Sequence, residues 1–110
     1  MDAYRIILTP DAEEDMRELR SYIADVLSAR NTALAYVQAV RKEIRSLSEM
    51  PARYRSVDEE PWHSRGIRRL IVKNSYVYYR IDEAAKKVLI LNVVYARRDQ
   101  LKALSKISAD

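Results

Sequence analysis

The chain opens on a short β-branched and aromatic run, Tyr4-Arg5-Ile6-Ile7-Leu8, that predicts a strand, with Thr9 as a helix N-cap and Pro10 preset for the first helical position. Ala12, Met16, Leu19, Ile23 and Val26 then recur at alternating steps of four and three, so one apolar stripe marks a first helix from Pro10 to Ala29. Acidic Asp11, Glu13, Glu14 and Asp15 suit the positive end of its dipole. After a break from Ser28 to Asn31, Ala33, Val37, Val40, Ile44 and Leu47 repeat the spacing until Pro51 stops a second helix. The short connection predicts an antiparallel helical hairpin whose shared apolar side must be covered by something flat.

The second half changes period. Met50 to Ser64 is polar apart from Pro51, Pro61 and Trp62, which predicts a long connection anchored by Trp62 rather than a domain linker. Ile67 to Lys73, Tyr76 to Ile81 and Lys87 to Tyr95 follow, separated by the turn-like Asn74-Ser75 and Asp82 to Lys86, and predict a three-stranded antiparallel meander entered at Gly66. In its middle strand Val77, Tyr79 and Ile81 fall on one face and Tyr76, Tyr78 and Arg80 on the other. In the last strand Leu89, Leu91 and Val93 oppose Val88, Ile90 and Val94, and apolar residues on both faces predict a central, doubly covered strand. Leu101, Leu104 and Ile107 have the spacing of a short C-terminal helix. The predicted class is α+β in the order β-α-α-β-β-β, a helical hairpin packed on an antiparallel sheet.

Composition narrows this picture. A chain of 110 residues suits one domain, residues 1–110, and no apolar run approaches the roughly 20 residues of a membrane span. The start runs directly into a strand without the basic and apolar regions of a secretory signal, so a cytoplasmic location is expected. With no cysteine, a single histidine and a single glycine, the sequence predicts no metal centre, no glycine-rich phosphate loop and no cofactor. The net charge of +4 is modest, but Arg65, Arg68, Arg69, Lys73, Arg80, Arg97 and Arg98 gather in the sheet half, which places the basic face there.

The candidate chemistry lies at the end of the last strand, in Tyr95-Ala96-Arg97-Arg98-Asp99. Two planar guanidinium groups can hold a phosphate or carboxylate, and Tyr95 can stack on a base or donate its hydroxyl. The plain alternative is that the arginines pair with Asp99 or the acidic helix. His63 is the one side chain that titrates near neutral pH without a large shift, although a loop histidine is commonly just solvated. Ser64 lacks an evident triad. Tyr76, Tyr78, Tyr79 and Tyr95 form a stacking platform only if those outside the core share a face, and Arg68 and Arg69 point to opposite faces, so one of them at most joins Arg80 or Arg97.

Element order, Tyr4 to Pro10 with its acidic helix, Arg68 to Asn74, Val77-Tyr78-Tyr79-Arg80-Ile81-Asp82 and the closing Arg97-Arg98-Asp99 together resemble the RelE/ParE superfamily of bacterial toxins from type II toxin-antitoxin modules. The resemblance implies a toxin that stops growth once freed from its antitoxin. RelE-like members cleave mRNA on the ribosome, with a base, a proton donor and charge-stabilising arginines. ParE-like members poison DNA gyrase. RNA-cleaving relatives usually carry an arginine early in the middle strand of the meander, where this chain has Val77, and the departure favours gyrase as target. A nuclease site would use Arg97, Tyr95, Arg69 and His63; target binding would use Arg97, Arg98, Arg80 and Tyr95. A non-toxic module that only binds antitoxin is the third alternative. The implied partners are an antitoxin, acidic in the segment that folds across the toxin, and either gyrase or the ribosome with mRNA, with an oligomeric toxin-antitoxin complex expected.

Overall fold

The structure, a computed structural model, describes residues 3–26 and 28–95. Strand β1 (Arg5–Leu8) passes directly into helix α1 (Pro10–Ser21) through Thr9. Its Oγ1 accepts the Ala12 N–H at 3.2 Å and donates to the Ile90 carbonyl at 2.8 Å, so one hydroxyl both caps the helix and ties it to the sheet. Winding changes at Tyr22–Val26 to a π-helical turn, and Ser28, with φ 52°, breaks the chain before α2 (Arg30–Arg45). A 3-10 turn, Ser46–Ser48, extends α2 and carries Leu47 inward. Ala12, Met16, Leu19 and Ile23 on the first stripe, and Ala33, Val37, Val40, Ile44 and Leu47 on the second, are all buried.

The strands β2 (Arg68–Val72), β3 (Ser75–Asp82) and β4 (Lys87–Tyr95) form the expected antiparallel meander. The sheet order is β1-β4-β3-β2, and β1 lies parallel to β4, so the four-stranded sheet is mixed rather than antiparallel throughout. Strand β4 is therefore central, as its two apolar faces predicted. The two-residue turn joining β2 to β3 is Lys73-Asn74, one position earlier than expected, with Lys73 at φ 53°.

Register accounts for one departure. Tyr78 pairs with Asn92 but Tyr79 pairs with Ile90, so Leu91 is an extra residue in β4, a bulge that reverses the alternation beyond it. Val93 consequently joins Val88 and Ile90 beneath the helices, together with Leu70, Val77 and Tyr79, whereas Leu91 packs on the opposite face. There Val57, Ile67, Tyr78 and Val94 form a second cluster, closed by Trp62 and Tyr76. Trp62 thus anchors the connection to the outer face of the sheet, with Gly66 at φ 76° turning the chain into β2. Among the described residues no helix is long and apolar enough to cross a membrane. The C-terminal helix expected around Leu101, Leu104 and Ile107 lies outside the described residues.

Candidate functional site

The connection between α2 and β2 is built by its own polar side chains. Arg53 donates to the carbonyls of Ser46 and Met50, each at 3.3 Å, and to the carbonyl of Glu49, while its guanidinium lies 4.8 Å over the Tyr54 ring. Arg68 reaches the Tyr54 carbonyl at 2.6 Å from the helix-facing side of β2. Tyr79 donates to the Pro51 carbonyl at 2.6 Å, and burial pushes its phenol up to about 12. Farther along, Glu60 accepts from the Ser64 N–H at 2.9 Å and hydroxyl at 2.8 Å, which holds its carboxyl below the usual range. Ser64 thereby closes a local turn onto Glu60.

These anchors leave a cleft of about 530 Å³ between residues 53–59 and the edge of β2, lined among others by Arg53, Arg55, Asp58, Glu59, Arg69 and Ile71. Arg69 lies 5.1 Å over the Tyr76 ring on the outer face. Arg55 pairs with Asp58 at 3.3 Å, but both side chains are at least 80% exposed, so water screens most of that attraction. Three guanidiniums against two carboxylates make the cleft cationic, and its ring-backed arginines are suited to carboxylate or phosphate oxygens. Arg53 and Arg55 were not singled out in the sequence; the available signal was the alternation Arg53-Tyr54-Arg55 inside a proline-flanked connection.

The residues singled out in the sequence are distributed over both faces. Tyr95 packs on the inner face, 5.6 Å from the Tyr22 ring and 6.2 Å from that of Tyr36, which in turn shares a 2.7 Å hydrogen bond with Ser75. Arg69, Tyr76 and Arg80 belong to the outer face, as the period of two predicted, with Arg68 on the other. Tyr78 and Tyr79 are fully buried on opposite faces, so the four tyrosines make no common stacking platform. His63 is exposed, with Nδ1 held 2.8 Å from the Val57 carbonyl, an arrangement that points Nε2 away from that bond. Arg97 and Arg98 lie outside the described residues.

The sequence also passed over a polar contact made by Asp15, which was assigned to the helix dipole alone. It accepts the Val93 N–H at 2.9 Å and the Asn92 Nδ2 at 3.1 Å, bolting α1 to the bulge in β4, and burial holds its carboxyl above the ordinary aspartate value. Asn92 Oδ1 and the Tyr78 hydroxyl are buried without a hydrogen-bond partner among the described residues. Burial raises the Tyr78 phenol as well, with the neighbouring Arg69 guanidinium pulling it the other way.

The fold, a helical hairpin on one face of a four-stranded sheet, is similar to that of solved chains from bacterial toxin-antitoxin systems. A chain from the chromosomal ParDE toxin-antitoxin system of Pseudomonas aeruginosa superposes with a TM-score of 0.71 at 19% identity over 88% of this chain and 100% of its own. A chain of the RelBE2 toxin-antitoxin complex of Mycobacterium tuberculosis gives 0.63 at 23% identity, covering 84% of this chain and 98% of its own. A mutant of the Escherichia coli toxin RelE in the free state gives 0.64 at 14% identity, covering 96% and 99%. No curated protein matches in sequence. The model of the family described as the ParE toxin of the type II toxin-antitoxin system, parDE, matches residues 6–100, and the chain belongs to that family.

Proposed function

We propose that this chain is the toxin of a type II toxin-antitoxin module and arrests growth by disabling DNA gyrase when it is not held by its antitoxin. The observation that supports gyrase over mRNA is Val77. Its side chain is 0% exposed and lies beneath the helices, so the middle strand offers no surface group there to clamp a phosphate. Arg69 and Tyr95, two of the groups a nuclease would combine, also lie on opposite faces of the sheet. Target contact is assigned to Arg97, Arg98 and Arg80, and the antitoxin is acidic where it meets this basic chain. The reading places the pair in the bacterial cytoplasm.

Cleavage of ribosome-bound mRNA is the rival, favoured by the cationic cleft at Arg53, Arg55 and Arg69. Supercoiling by purified gyrase, run beside primer extension on a translated mRNA, separates the two. Lost supercoiling with intact message is expected; codon-positioned cuts with normal supercoiling would replace gyrase by the ribosome. Normal growth after induction of soluble protein would leave only an antitoxin-binding module. Arg97→Ala is expected to restore growth with an unchanged melting temperature, and full toxicity of that variant removes the residue from the site.

A further inference from the structure

The cover on the outer face of the sheet stops halfway. Val57, Ile67 and Trp62 close over Tyr76, Tyr78, Leu91 and Val94, and neither apolar cluster includes Ile7 or Leu89. Ile6 and Leu8 of β1 and Val88 and Ile90 of β4 pack beneath the helices, so Arg5, Ile7, Lys87 and Leu89 turn to the outer face, where Arg80 also lies. Register sets them in two rows. Arg5 pairs with Lys87, which pairs with Asp82; Ile7 pairs with Leu89, which pairs with Arg80. Two half-buried aliphatic side chains thus sit among three cations on the bare half of the face.

This half carries two arrangements that cost the free chain stability. Arg5 and Lys87 are like charges held side by side on neighbouring strands. Arg80 is half-buried, and among the described residues its guanidinium has no hydrogen bond or ion pair. Asp82 gives no relief, because its Oδ1 accepts the Ala85 N–H at 3.1 Å and no described cation is ion-paired to it. A partner that brings carboxylates to the cations and apolar atoms to Ile7 and Leu89 resolves both, and an apolar centre with an arginine inside a polar rim is the anatomy of a protein contact.

We infer that this bare half is the face by which the chain docks on a protein surface bearing carboxylates around an apolar centre, a surface of gyrase on the function proposed above. The name of the partner rests on that function. A second copy of the chain would set the same cations against one another. Nucleic acid would offer phosphates to the cations and nothing to the aliphatic pair, and Ile7 and Leu89 are sunk between longer side chains rather than raised for entry into lipid.

The test titrates the full chain onto immobilised purified gyrase. Saturable binding is expected, with Kd raised at least tenfold by Arg5→Glu and by Arg80→Glu and changed less than twofold by Arg20→Glu, which makes the same change of charge on α1. Arg5→Glu also replaces a like pair with an opposite one at Lys87, so its denaturant midpoint should be no lower than that of the native chain while binding falls, which separates docking from folding. If Arg80→Glu misfolds, Arg80→Gln is read in its place. In the complex, chemical acetylation of the Lys87 amine should slow at least fivefold beside an unchanged rate at exposed Lys42 on α2. Binding at native strength by both face variants, an equal loss in Arg20→Glu, an unprotected Lys87, or equal protection of Lys87 by a DNA duplex or by phosphatidylglycerol vesicles would each overturn the inference. Supercoiling is read alongside: face variants that inhibit as the native chain does remove this face and leave gyrase as the target, whereas a native chain that neither binds nor inhibits gyrase removes both.

Discussion

Asp15 shows how one carboxylate can serve two elements at an electrostatic cost. It satisfies a backbone N–H exposed by the bulge, yet burial favours its neutral form. Because the folded value is raised, the native state binds the proton more tightly than the unfolded chain between the ordinary value of 3.8 and the raised one. This contribution to stability is therefore present at low pH and declines as pH rises through that window. Denaturant midpoints measured across the acid range should show the decline for the native protein and lose it in Asp15→Asn. Asp15→Ala, which orphans the Val93 N–H, is expected to cost about 1–3 kcal/mol. Tyr79 gives the matching alkaline signature: its folded value of about 12 exceeds the ordinary 10.0, so stability falls as pH climbs between them. An ultraviolet titration should show one phenol ionising last, and Tyr79→Phe should remove it.

Turn chemistry decides how well the elements are joined. Lys73 occupies the left-handed region at φ 53°, in a tight two-residue turn, with an exposed side chain. A residue with a Cβ pays for that conformation, and glycine does not. Lys73→Gly is expected to raise stability by about 0.5–1 kcal/mol, read as a higher denaturant midpoint at unchanged slope, with Lys73→Ala giving no such gain. At the other end of the sheet, Thr9 makes the β1 to α1 junction rigid through paired bonds to Ala12 and Ile90. The local part of that junction was legible in the sequence as a threonine followed by proline; the bond to Ile90 was not, because it spans 81 positions.

At the scale of the molecule, one sheet is shared by two apolar layers. Helices cover one face, and the connection with Trp62 covers the other through Val57, Ile67 and Tyr78. Tyr78 and Tyr79 are neighbours on β3 and belong to different layers, so loss of either layer exposes strand residues that the other needs. Unfolding followed by the fluorescence of Trp62, the only tryptophan, should coincide with loss of helix seen by circular dichroism. An earlier fluorescence transition would mean that the connection opens as a separate unit and that the cleft beside it is not held rigid by the core.

Periods of 3.6 and 2, the Thr9-Pro10 cap and the turn residues are local signals, and they determined the two helical stripes, the N-cap, the meander and the faces of Arg68, Arg69 and Arg80. Tertiary structure decided the rest. Nothing local in Tyr4 to Leu8 says that β1 pairs parallel with β4, because that choice depends on where the helical hairpin returns the chain to the sheet. Nor does alternation reveal the bulge at Leu91, where one added residue moves Val93 to the helix side. The same nonlocal packing leaves Tyr95 and Arg69 on opposite sides, and brings Arg53 and Arg55 beside Arg69 from a segment whose sequence carries no period at all.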